Sequence, residues 1–134
     1  MEPKIVLYYE SDAILYREWH VHGKYHREDG PACISYYKSG AIWRQRWFLN
    51  GNRHRADGPA HIEYYESGAV KRQEWSLNDK THREDGPAII GYYESGAIES
   101  QQYFWKGTQY PDIKTAKEWT RKLPLLKIQD VMQS

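Results

Sequence analysis

The chain holds 134 residues, 19 basic against 18 acidic for a net charge of +1, with six Trp and twelve Tyr but only two Phe. Leu, Ile, Val and Phe together number 23, a shortage that signals disorder only alongside a large net charge; here aromatic bulk fills it. A mean hydropathy of −0.93 and short apolar runs argue against a large enzyme core, and the balanced charge gives no global pull toward nucleic acid or membrane.

From the N-terminus, the longest early apolar stretch is Ile5–Tyr9. It is too short for a secretory leader or a membrane span and predicts a strand. One cysteine, Cys33, excludes an internal disulfide framework. The expected setting is therefore reducing and cytoplasmic.

The sequence then repeats, and the repeat organises everything after it. HRxDGPA stands at His26–Ala32, His54–Ala60 and His82–Ala88. YYxS stands at Tyr8–Ser11, Tyr36–Ser39, Tyr64–Ser67 and Tyr92–Ser95. Trp19, Trp47 and Trp75 form a third column that Tyr103 completes. Every step is 28 residues, with no insertion or deletion.

Each unit reads as strands and turns. Ala60–Tyr65 has strand-forming residues at alternate positions, Glu66-Ser67-Gly68 supplies a tight turn, and Ala69–Leu77 predicts a second strand. Asn50-Gly51 is a strong hairpin signal because both residues tolerate positive φ; Asn78-Asp79 replaces it one unit on. Asp-Gly-Pro predicts a further turn, glycine freeing φ and proline being barred from mid-sheet. The unit is thus two main strands plus a short third. The fold class is mainly β, an elongated antiparallel β-hairpin repeat array over residues 1–110, about 35 Å across for eight main strands. A short helical cap over 111–134 follows.

Period-two alternation assigns faces. Ala60, Ile62 and Tyr64 share one, with Ala41, Trp43, Gln45, Trp47 and Leu49 along the second strand. The other face carries changing residues: Cys33/His61/Ile89, Ser35/Glu63/Gly91, and Ile42, Arg44, Arg46 and Phe48 against Val70, Arg72, Glu74 and Ser76. Columns that repeat belong to the scaffold; columns that change are where recognition can be written. Past Gly107, Tyr110-Pro111-Asp112 predicts a helix entry with Asp112 as N-cap. Pro124 divides the remainder into helices over about 112–122 and 125–132, whose expected role is to cover the last repeat's open edge.

Trp47, Asn50-Gly51, His54, Gly58, Tyr64-Tyr65 and Gly68 follow the residue order of MORN repeats, so residues 5–107 resemble a longer MORN variant, similar to repeats in an antitoxin-like bacterial family and in phage and giant-virus proteins. The unit departs from that pattern in its 28-residue length, in Arg55 where glycine is usual, and in the added DGPA. The resemblance implies a β-hairpin array used for protein or lipid contact, with no catalytic residues.

Candidate chemistry is sparse. The His-Arg-x-Asp columns could do acid–base work, but three identical copies point to a structural turn network, with Asp capping the turn and Arg paired to it or stacked on a ring. His20, His22 and His26 give H-x-H-x3-H, a weak metal pattern without a fourth ligand; Cys33 reads as an inert thiol. No metal site, cofactor or catalytic set is expected. Between Ala32 and Ala56 lie Lys38, Arg44, Arg46, Arg53 and Arg55, with no Asp or Glu and with Trp43 and Phe48 interleaved. Arginine and aromatic side chains dominate interface hot spots, so Trp43, Arg44, Arg46, Phe48 and Arg53 are the candidate binding residues of a non-enzymatic protein-interaction module. The alternative is a peripheral binder of anionic lipid or of a small anionic or nucleotide ligand through the same patch. Sequence-specific nucleic acid fits poorly, and open sheet edges leave room for a homo-oligomer.

Overall fold

The computed structural model describes residues 2–115, 117 and 118. The first unit forms β1 (Ile5–Tyr8), β2 (Ile14–Glu18), β3 (His20–Val21) and β4 (Lys24–Tyr25). The second forms β5 (Cys33–Tyr36), β6 (Ile42–Arg46), β7 (Phe48–Leu49) and β8 (Asn52–Arg53). The third forms β9 (His61–Tyr64), β10 (Val70–Glu74), β11 (Ser76–Leu77) and β12 (Lys80–Thr81). The fourth forms β13 (Ile89–Tyr92), β14 (Ile98–Trp105) and β15 (Thr108–Tyr110).

The chain is mainly β. Nine strands make one antiparallel meander, ordered β1-β2-β5-β6-β9-β10-β13-β14-β15. The short third strand expected in each unit is instead a separate two-stranded arm, β3–β4, β7–β8 or β11–β12. The break falls at the Trp column. The N–H groups of Trp19, Trp47 and Trp75 donate to Ala32, Ala60 and Ala88 of the next unit, while their carbonyls accept from His26, His54 and His82. In the fourth unit, where Tyr103 fills the column, β14 runs through into its hairpin with β15.

Backbone sterics set the turns. Asn50-Gly51 lies at φ of 50° and 83°, and Asn78-Asp79 at 47° and 68°, the double left-handed geometry of a two-residue hairpin. Within each main hairpin, one residue of the second strand is extra: Tyr36 opposes Ile42 and Ser35 opposes Arg44, leaving Trp43 in a bulge. The same slip recurs in all four units. This corrects the strict alternation: Ile42 shares a face with Tyr36, and Trp43 stands outside the pairing.

Two tyrosines per unit tie the units together. Tyr9, Tyr37 and Tyr65 donate their hydroxyls forward to the carbonyls of Tyr36, Tyr64 and Tyr92 at 2.6, 2.7 and 2.7 Å. Tyr64 and Tyr92 donate backward to Gln45 and Gln73 at 2.8 and 2.7 Å. The first unit has Arg17 in the Gln column, and there Tyr36 accepts from the guanidinium instead. The core is thin, with Trp19, Ala32, Cys33, Ile34, Phe48, Ala60, Ile62, Ala88, Ile89 and Ile90 buried. These hydroxyl bridges therefore carry weight that a two-layer fold would give to apolar packing.

At the C-terminal end, residues 113–115, 117 and 118 are helical. Asp112 caps them as expected, accepting the Thr115 N–H at 2.6 Å. The rest of the first expected helix, the second over 125–132 and their edge-covering role fall outside the described residues.

Removing a bridging hydroxyl should cost about 1 kcal/mol. Tyr65→Phe is expected to lower stability by that amount in urea unfolding of the dilute chain, while Tyr93→Phe, whose hydroxyl has no acceptor among the described residues, should leave it unchanged.

Candidate functional site

The His-Arg-x-Asp columns are consumed by the scaffold. His26, His54 and His82 accept, through Nδ1, the backbone N–H of Asn50, Asn78 and Lys106 in the next unit at 3.0, 3.0 and 2.9 Å. The guanidinium groups of Arg27, Arg55 and Arg83 lie 3.9, 4.0 and 3.9 Å over the rings of Trp19, Trp47 and Trp75. Each Arg Nε also donates to the Asp two residues on, and each Nη1 to the Pro carbonyl four residues on. Each such stack contributes on the order of 1 kcal/mol.

The glycine of DGP has a different role from the one its turn chemistry predicts. Gly30, Gly58 and Gly86 are not among the positive-φ residues. A Cβ at each would lie 3.0, 2.9 and 3.0 Å from the Arg Cζ above it. Glycine is needed there to let the guanidinium down onto the tryptophan. Between successive loops run two grooves of about 720 and 510 Å³, floored by Trp75 and Leu77 in one and Trp47 and Leu49 in the other.

His20, His22 and His26 do not converge on a metal. His22 occupies the β3–β4 turn at φ 52°, His20 faces Glu18 at 3.8 Å, and Nδ1 of His26 is taken by Asn50. Cys33 is 2% exposed, with Tyr16 and Phe48 packed around it, and burial pushes its thiol up, away from the thiolate. Tyr16 is pushed up as well, first by burial and then by its hydrogen bonds to Cys33 and Glu18.

Sheet register gathers the changing columns into two adjacent rows on one face. One row runs Cys33, Arg46, His61, Glu74, Ile89; the other runs Ser35, Arg44, Glu63, Arg72, Gly91. Their middle is a charged ladder. Arg72 pairs with Glu74 at 3.1 Å, and His61 lies 3.3 Å from Glu63 and 4.0 Å from Glu74. Burial nonetheless holds the His61 imidazole below its ordinary value, outweighing both carboxylates. Arg44 and Arg46 stand beside this group in the same two rows. Nε of each is buried and unpartnered among the described residues, and their guanidinium groups lie 4.8 Å over Trp43 and 5.7 Å over Phe48.

The five candidate residues thus separate. Trp43 is 39% exposed in its bulge. Arg44 and Arg46 project from one face two residues apart. Phe48 is 9% exposed and belongs to the core cluster with Ala32 and Cys33, so it supports the surface from beneath. Arg53 lies on the β7–β8 arm, where it holds Asp79 of the next unit at 3.1 Å. Strand alternation alone put His61, Glu63, Arg72 and Glu74 on a changing face, but only the cross-strand register brings them beside Arg44 and Arg46.

No family model, no curated protein and no solved structure matches this chain.

Two outcomes follow from these placements. Cys33 should resist alkylation in the folded chain and react fully in denaturant, as read by mass spectrometry. Arg27 holds the Asp29 carboxyl, and Arg53 the Asp79 carboxyl, below the ordinary aspartate value of 3.8. Both groups bind protons more weakly folded than unfolded, so their stabilisation is present above that pH and lost as pH falls through their folded values. The melting temperature should drop over that acid range, and Asp79→Asn should shrink the drop.

Proposed function

We propose that this chain is a non-enzymatic protein-interaction module that receives an acidic segment of a protein partner on the face carrying Arg44 and Arg46. The observation that supports it is that Arg44 and Arg46, beside exposed Trp43, are in no ion pair among the described residues and have no acceptor at Nε there. Both arginine side chains are only partly buried, so a carboxylate from a partner would meet the outer part of each guanidinium with charge-assisted bonds. Arginines backed by aromatic rings are the side chains that concentrate binding energy at interfaces.

The same face argues against a flat anionic lipid surface. Glu63 and Glu74 alternate with the arginines, so a uniform negative sheet would meet repulsion as well as attraction. A peptide can set its carboxylates against Arg44 and Arg46 and keep them clear of Glu63. The likeness of the unit to MORN repeats suggests the biological form: an inhibitor, an antitoxin-like protein or a viral counter-defence protein acting in the cytoplasm.

The test begins with a partner recovered by affinity capture from the producing cells and a Kd measured for the pair. Arg44→Gln with Arg46→Gln should weaken it at least tenfold, since losing one member of a buried charge pair costs about 2–5 kcal/mol. Arg53→Gln should leave it near the starting value. Unchanged affinity in the double variant overturns the surface. Flotation with phosphatidylserine vesicles that is abolished by salt would favour the lipid reading instead.

A further inference from the structure

The three junctions inside the chain are alike, and each has two halves. The earlier unit presents a Gln or Arg and a forward-reaching Tyr hydroxyl; the later unit presents a Tyr hydroxyl and a Tyr carbonyl. At the ends of the array these halves stand open among the described residues. The fourth unit offers Tyr93, 53% exposed, and Gln101; among the described residues the Tyr93 hydroxyl has no partner and no tyrosine reaches the Gln101 amide. Among the described residues, no strand lies on the outer side of β14 over Ile98–Gln102. The first unit offers Tyr8, 59% exposed, with Leu7 at 48% and Ile5 at 39%. The column mates of Ile5 and Leu7 inside the array, Cys33 and Ser35, are 2% and 6% exposed. The N-terminal edge is therefore apolar where the interior of the same columns is covered.

We propose that a second copy of this chain closes that gap, joining head to tail so that its β1 continues the sheet beyond β14. The repeat fixes the register. Gln45 opposes Ile62 and Gln73 opposes Ile90, so Gln101 opposes Val6 of the next copy, and Ser100 opposes Leu7. Tyr8 of the incoming copy donates to Gln101, and Tyr93 donates to the carbonyl of that Tyr8. The two ends are complementary to each other and neither is complementary to itself, which makes the contact heterologous and open-ended. Among the described residues, nothing of the chain itself fills the place. Positions 117 and 118, the columns of Ile89 and Ile90 one unit on, are helical.

Full-length Leu7→Cys and full-length Ser100→Cys chains, mixed under mild oxidation, test it; both positions are exposed. The mixture should yield a disulfide-linked heterodimer on a non-reducing gel. Neither variant alone should cross-link, nor should the unaltered chain, whose Cys33 is buried. Val6→Cys with Gln101→Cys repeats the test one residue along, with circular dichroism confirming that each variant folds. In sedimentation velocity the unaltered chain should pass beyond dimer as concentration rises, and Leu7→Lys should lower its mass at any given concentration. Cross-linking of either variant with itself, or a chain that stays monomeric at millimolar concentration, would overturn the proposal.

Discussion

The structure depends on bonds that no unit can complete by itself. A single β-hairpin with one thin apolar face is marginal in water. Here each hairpin hands its unsatisfied groups to the next. The Trp N–H goes to the following Ala, the His ring takes the following turn's N–H, and the Tyr hydroxyl takes the following Tyr carbonyl. All three cross the junction together. The constant 28-residue period keeps all three in step.

That constraint explains the composition. The sheet has little second layer, so aliphatic side chains have few places to be buried. Tyr and Trp suit such a sheet because each pairs a large apolar ring with a hydrogen-bonding tip. Arginine stacked on Trp does what a second layer would do, covering the ring while its fork is satisfied by Asp and Pro. The glycine beneath it is part of that device. Its absence of a side chain makes room; its φ is ordinary.

Much of the fold was legible because the period was. Strands, turns and antiparallel order follow from aligned columns and from Asn50-Gly51 chemistry. What the columns could not give was register. The bulge at Trp43 changes which residues face together, and nothing in the local sequence of Ile42-Trp43-Arg44 marks it. The same gap blurred the candidate site. Five residues chosen for charge and aromaticity proved to be one exposed ring, two arginines with no acceptor at Nε among the described residues, one core phenylalanine and one arm arginine tied to Asp79. Burial separated Phe48, and a contact 26 residues away separated Arg53; neither is a local property of the chain.

The central claim is that successive units are locked by contacts across each junction, with the His ring as one latch. Amide hydrogen exchange measures it directly. Asn50 and Asn78 sit on exposed turns, where an amide would ordinarily exchange quickly. The account predicts that both are protected, and that His54→Ala releases the Asn78 amide while the Asn50 amide, held by His26, stays slow. Fast exchange at both positions in the unaltered chain, or no change at Asn78 in the variant, would contradict it.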